Sequence, residues 1–341
     1  MKGFDLLSIF TENPIDPLAR IYWPYILASV VLALIAFSLN RGGKGFSVIE
    51  FGRFLAPKSI YKHPSTFLDL KVFILNQLIL TFFFLPFLLD APIVAQSVLS
   101  TLNYGIGRSD YQLEYTFATR ACLSLSVFIA ADLAHFLIHY LMHKVPMLWR
   151  FHKVHHSAEV MTPITLFRVH PVEPFLRSSL IGIFTGIVYG LFSYVLAVQI
   201  PLVTILKINF CVFLFHVFGS NLRHSHVWLP YPRLLSYFFI SPAQHQIHHS
   251  KDVKHLNKNF GNALAVWDWI LKTLYVPKLK EELKFGLGEQ MSQEHSNLRS
   301  FYFGPISENF RSFIGKLRSV KRLSGLKAST APDAPEILLL H

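Results

Sequence analysis

Seventeen of the 341 residues are histidine, and ten of these fall in two clusters. The first reads His139-Tyr-Leu-Met-His143, then His152-Lys-Val-His155-His156; the second reads His224-Ser-His226, then His245-Gln-Ile-His248-His249. A helical i,i+4 spacing sets His139 and His143 on one face, one turn apart. Each HxxHH unit places its first histidine on the same face as the two that follow. Two imidazoles of a unit can thus converge on one metal while the third reaches another. Without His224 and His226 the boxes supply eight imidazoles, and with them ten. One ion takes four to six ligands, so the set suits two ions of four or five imidazoles each. All-nitrogen coordination suits zinc, copper, iron or nickel rather than calcium or magnesium. One HxxHH alone is weak evidence; two copies plus HxxxH, at the ends of apolar runs, are not an accident of composition.

Other residues are read more plainly. His63, His255, His295 and His341 are expected to be surface or core residues. His135 continues the series from His139 deeper into its run, as a second-shell or pocket residue, and His216 is ambiguous in the same way. His170, within Arg168-Val-His-Pro-Val-Glu173, is either a local contact or a lining residue. Ligating imidazoles commonly donate their second N–H to a carboxylate. Asp132 lies two turns before His139 inside an apolar run, where an ionisable group is costly and by default functional. Glu159, Glu173 and Asp252 are further candidates, with exposed loop carboxylates as the competing reading.

The elements that position these residues follow from composition. Apolar residues make up 52% of the chain and charged ones 15%, which excludes an ordinary water-soluble enzyme and a disordered chain alike. Cys122 and Cys211 both sit in apolar runs, which excludes a disulfide scaffold and a thiolate zinc site. Apolar runs cover residues 21–39, 72–99, 117–141, 175–198 and 201–219. The first is expected to be retained, since Asp5, Glu12 and Asp16 precede it and no small-residue cleavage site follows. The second, broken by Pro86, Asp90 and Pro92, reads as one kinked span or a span plus a re-entrant piece. The last two read as a tight hairpin. The expected fold is therefore an all-α integral membrane protein of about four to five spans, with a helical cap carrying the histidines.

Three regions are expected: an N-terminal membrane part (1–116), a catalytic part (117–275), and a polar, partly flexible tail (276–341). Two crossings separate the histidine clusters, so both return to one membrane face. Arg and Lys crowd alternate loops; with the N-terminus outside, the basic loops and both clusters face the cytoplasm. The net charge of +12 then reads as topology and anionic-lipid contact, not nucleic-acid binding.

These boxes resemble the fatty acid hydroxylase/sterol desaturase superfamily. The flanking text agrees: Leu148-Trp-Arg-Phe-His-Lys-Val-His-His-Ser157, Ser241-Pro-Ala-Gln-His-Gln-Ile-His-His-Ser250, then Asn259-Phe-Gly-Asn262 and Trp267-Asp268. The resemblance covers roughly residues 132–275 and is weak outside them. The family's additional histidine before the last box falls on His224, with His226 where asparagine is usual. What the resemblance implies is a non-haem centre of two iron ions that activates O2, with zinc as a substituted metal. The implied substrate is a sterol or fatty acyl lipid, hydroxylated or desaturated, and electrons come from a separate redox protein. Phe residues around the spans would line a lipid tunnel. The rival class is a histidine-rich metal-transport or metal-binding membrane protein, whose ligands belong mid-membrane in broken helices. Here nearly all lie just beyond span ends. A zinc hydrolase would need His-Glu-x-x-His, which the sequence lacks.

Overall fold

A computed structural model describes residues 14–16, 19–40, 46–109, 116–196, 204–205, 208–288 and 294–329. Helix α1 (Trp23–Leu39) is an apolar rod whose buried Ala33 and Ala36 pack on Leu222 and Val227. A short amphipathic helix, α2 (Val48–Leu55), begins where Ser47 Oγ accepts the Glu50 N–H. Helix α3 (Pro64–Ile79) runs through a π turn (Leu80–Phe84) and a 3-10 turn (Leu85–Phe87) before α4 (Ala91–Gly105) restarts. The break falls where the sequence carries its breakers: Pro86 sits in the 3-10 turn, and the Asp90 carboxylate caps α4 by accepting the Ile93 N–H at 3.1 Å.

Helix α5 (Phe117–Lys144) is followed at once by α6 (Pro146–His156), and α7 (Val172–Leu196) comes after a connecting loop. Among the described residues, three helical runs are long and apolar enough to cross a membrane: Pro64–Gly105, Phe117–Lys144 and Val172–Leu196. The first is one kinked run, because its contacts advance steadily along α7. Phe84 meets Phe175 with ring centroids 5.3 Å apart, and further along Val94 lies against Gly186 and Val98 against Gly190. Gly182, Gly186 and Gly190 make this approach possible; a Cβ on Gly186 would lie 2.6 Å from Val94 and 2.7 Å from the Ala91 carbonyl. Small residues at i,i+4 are how apolar helices come close without a hydrophobic driving force.

The fifth expected span is not a continuous crossing helix. Among the described residues of 201–219, Thr204–Ile205 pairs antiparallel with Ile208–Asn209, and α8 (Phe210–Val217) has eight residues. At ~1.5 Å per residue that is ~12 Å, against the ~30 Å of a bilayer core. Apolarity spans the whole segment, but Asn209 caps α8 through the Cys211 N–H, and Gly219 ends it at a φ of 100°. The return leg nevertheless exists. Asn209 donates to the Ser124 carbonyl near the start of α5, and fifteen positions later His224 lies beside His155 at the other end. Helix α1 flanks this leg, with Tyr25 4.6 Å from the His216 ring.

Helix α9 (Pro242–His248) carries the last box, and α10 (Leu298–Ser329) is a helix of 32 residues in the part expected as a polar tail. It is tied to the cap: Lys153 Nζ donates to both Glu308 oxygens at 2.9 and 2.7 Å, and Arg150 donates to Asn309 Oδ1 at 2.8 Å. Tyr302 Oη donates to Asn76 Oδ1 at 3.0 Å.

Candidate metal centre

Each box is delivered by a helix end whose local sequence fixes its position. His139 and His143 close α5; extended Val145 makes the bend, and Pro146 opens α6 at a position where its missing N–H costs nothing. His152, His155 and His156 follow in α6. Before α9, Ser241 Oγ accepts the Gln244 N–H at 3.2 Å while Gln244 Oε1 accepts the Ser241 N–H at 3.0 Å, a reciprocal cap that fixes the start of the box. His224 follows the 3-10 turn Ser220–Leu222.

The boxes converge into two groups. His139, His143, His152, His156 and His248 form one, and His155, His224 and His249 the other, with one nitrogen of each within 4.8 Å of the rest of its group. His245 joins the second, its Nε2 3.2 Å from His224 Nε2 and 3.3 Å from His249 Nε2. The His152–His156 and His155–His224 Nε2 pairs are 3.1 and 3.2 Å apart. For ligands ~2.1 Å from a shared ion, such separations subtend ~95–105°, an ordinary angle between adjacent ligands. The two groups abut, with the His156 and His249 rings stacked at 4.5 Å.

Outer acceptors set the tautomers. His139 Nδ1–H donates to the Phe260 carbonyl at 2.7 Å, His155 Nδ1–H to Arg168 O at 3.1 Å, and His248 Nδ1–H to Lys258 O at 2.8 Å. His152 Nδ1–H donates to Glu173 Oε2 at 2.8 Å. A carbonyl only accepts, so the proton sits on Nδ1 and the Nε2 lone pair is left for the centre. Burial pushes His155 and His248 down to about 3. Burial, then repulsion among neighbouring imidazoles, holds His156, His224, His245 and His249 well below the ordinary histidine range. These rings are neutral at pH 7, the form that binds metal.

The donor set fits a pair of metal ions on a further ground. Among the described residues, His143 Nε2 and His248 Nε2 are buried and have no hydrogen-bond partner. Buried lone pairs left bare cost stability and call for an electrophile.

Around the centre, Asp132 acts one step further out than expected. Its carboxylate accepts the Ala263 N–H at 2.7 Å, the Leu264 N–H at 3.1 Å and the Trp267 indole N–H at 2.9 Å, anchoring the loop that carries Phe260. Asp268 clamps the same loop through the Phe260 and Gly261 N–H groups at 2.8 and 2.6 Å. Arg168, wholly buried, pairs with Asp69 at 2.8 Å and donates to Ser157 and Val154, which holds its own carbonyl on His155. Asp69 and Arg168 carried no signal in the sequence, since they lie 99 positions apart.

Several expected residues stand elsewhere. His226 lies outside both groups, its Nε2 donating to the Phe54 carbonyl at 2.6 Å between the Phe54 and Tyr61 rings. Ten clustered imidazoles therefore become nine among the described residues. The Ser225 side chain explains this: it bonds the Leu222 carbonyl and the Val227 N–H, and the turn aims neighbours apart. His170 donates to Tyr302 O at 3.0 Å and ties α10 down. Asp252 caps its own turn through the Lys254 N–H, and Glu159 stands 3.9 Å from His63. Neither reaches the centre. His135 belongs to neither group; its ring is 6.3 Å from that of His139, on the wall of a cavity.

That cavity, of about 560 Å³, has His139, His152, His155 and His224 on one side and Phe73, Phe128 and Phe167 among its apolar walls. His216 also lines it, its Nδ1 bonded to Ser220 Oγ at 2.8 Å.

Residues 124–273 match the fatty acid hydroxylase family. Among curated proteins, the ornithine lipid hydroxylase OlsE of Rhizobium tropici is 29% identical over 163 residues, 47% of this chain and 44% of that protein. Alkylglycerol monooxygenase of Homo sapiens is 25% identical over 162 residues, 48% of this chain and 32% of that protein. The Xenopus tropicalis alkylglycerol monooxygenase is 24% identical over 165 residues, 47% and 32% of the two chains. Each match spans less than half of the relative's length. No solved structure matches. Residues 124–273, which hold all nine clustered histidines, are thus the part of the chain that is similar to fatty acid hydroxylases, and the family match and these relatives together support the fatty acid hydroxylase superfamily.

Proposed function

We propose that this chain is a membrane-embedded, O2-dependent oxidoreductase that hydroxylates or desaturates a lipid chain. The carrying observation is the meeting of two abutting imidazole groups with an aromatic-walled cavity at the ends of apolar helices. His139, His143, His152, His156 and His248 would hold one iron ion, and His155, His224, His245 and His249 the other. Iron held there supplies the oxygen-activating, hydrogen-abstracting power that an unactivated C–H bond demands, with electrons from an external redox protein.

The chain's own residues do the rest. Glu173 and three backbone carbonyls hold the imidazoles in one tautomer and one orientation. Phe73, Phe128 and Phe167 offer an acyl chain an apolar bed and exclude water from the wall facing the histidines. Contacts support placing the basic loops and the histidines on one face: α5 ends there, while α4 and α7 lead away side by side. By the positive-inside rule that face is cytoplasmic. Transport is disfavoured because the ligands are packed side by side at helix ends rather than strung along a pathway.

Metal analysis of protein made under iron-replete conditions is expected to give two iron per chain. A single metal, or none, refutes the two-iron reading. Lipid profiling of cells carrying the chain or its His155→Ala variant is expected to show one oxidised lipid class that the variant lacks. Unchanged lipid profiles refute the activity.

A further inference from the structure

We infer that the cavity beside the histidines binds its lipid by an anionic group, a phosphate or carboxylate, through Arg20, Arg223 and Arg177. The inference rests on the lipid-oxidising reading above and adds the class of substrate. All three arginines line the same cavity as the histidines. Arg20 and Arg223 share one aromatic neighbour, their guanidinium carbons 5.7 and 4.6 Å from the Phe215 centroid.

The charges do not balance. Among the described residues that line the cavity, the only carboxylates are Asp132 and Glu173, against three guanidinium groups. Both carboxylates are already engaged. Glu173 takes the His152 N–H with one oxygen and Arg177, at 3.2 Å, with the other. Asp132 accepts from two backbone amides and the Trp267 indole. Arg223 is held in place by neutral oxygens, donating to Ile240 O at 2.8 Å and Asn262 Oδ1 at 3.4 Å. Arg20 has no ion pair among the described residues. Burial, and then repulsion by Arg223 and Arg177, push Arg20 down to about 9, which leaves it charged at neutral pH. Arg20 is half-buried, and a guanidinium partly withdrawn from water without a counter-charge costs stability. Its planar fork matches phosphate or carboxylate in two parallel hydrogen bonds.

An anionic group docked on this wall lets the apolar remainder lie against Phe73, Phe128 and Phe167. The oxidised carbon is then counted from the charged end of the lipid. A cavity of about 560 Å³ takes a headgroup with part of a chain, within the ~300–1,000 Å³ of small-molecule sites.

The test uses the full-length, iron-loaded chain in a neutral detergent, with dodecyl phosphate, dodecanoate, dodecanol and inorganic phosphate as probes. Apparent affinity is read from the dependence of the unfolding midpoint on probe concentration. Dodecyl phosphate or dodecanoate is expected to bind at least about tenfold more tightly than dodecanol. Arg20→Gln is expected to erase that preference while leaving dodecanol binding and iron content unchanged, and Arg20→Lys to keep part of it. Equal affinity for charged and neutral probes overturns the inference, as does an Arg20→Gln chain that keeps the preference. Inorganic phosphate binding as tightly as dodecyl phosphate overturns the lipid assignment. A chain that holds two iron but shows no anion preference refutes this inference alone. One that holds no iron refutes the reading of the histidine centre instead.

Discussion

Removing the Glu173 carboxylate tests how far the outer contacts govern the centre. Glu173 is 4% exposed, and its Oε2 lies 2.8 Å from His152 Nδ1, whose other nitrogen is 3.1 Å from His156 Nε2. A buried hydrogen bond to a charged partner is worth ~1.5–3 kcal/mol. All of that bears on the orientation and basicity of His152, so at ~1.4 kcal/mol per decade the expected loss of metal affinity is ~10–150-fold. This agrees with the ~10–100-fold typical of second-shell changes. Glu173→Ala removes acceptor and charge together; Glu173→Gln keeps an amide oxygen at the same reach and should fall between it and the unchanged chain. The assay is competition for iron against a chelator of known affinity, with helix content and unfolding midpoint followed to show that the fold persists. Asp252→Ala serves as the comparison, since that side chain touches only its own turn, and it should retain metal fully. A folded Glu173→Ala chain that keeps iron as tightly as the unchanged one would show that Glu173 does not support the centre, and would refute the reasoning.

Three further expectations follow from the same contacts. His226→Ala should leave iron content intact and cost ~1 kcal/mol of stability, the worth of its bond to the Phe54 carbonyl, as read by thermal unfolding; a lost metal would return His226 to the centre. Gly186→Leu should destabilise the α4–α7 contact by ~1–3 kcal/mol or more, because the new side chain meets Val94 and the Ala91 carbonyl; an unchanged unfolding midpoint would contradict the packing. Asp132→Ala strands two backbone N–H groups and an indole N–H, at ~1–3 kcal/mol for each buried donor left bare, and should lower iron occupancy by freeing the Phe260 carbonyl from His139; iron analysis beside thermal unfolding would separate the two effects.

How much of this was legible in the sequence depends on the range of the interaction. The boxes and their helical faces were readable, because His139/His143 and the HxxHH units are spaced by the helix itself. So were the breaks at Pro86 and Asp90, since proline and a capping carboxylate act on their own turn. The two clusters do meet, although among the described residues of 201–219 the chain between them forms two paired two-residue strands and an eight-residue helix. Hydropathy records only that a segment prefers an apolar setting; Asn209 and Gly219 decided how much of it is helix.

Tertiary structure alone decided which histidine belongs to which group, because His248 of the last box joins the first group while His245 and His249 join the second. It also set His226 apart from His224, two positions away, where backbone direction and not spacing governs. Glu173 stood among several equal carboxylates until the fold brought it to His152, 21 positions back, and set Asp132 on a backbone loop beyond position 260 instead. Arg20, Arg177 and Arg223 had no pattern in the sequence at all. Local chemistry follows from neighbours along the chain; partners across it are chosen by packing, which no spacing rule encodes.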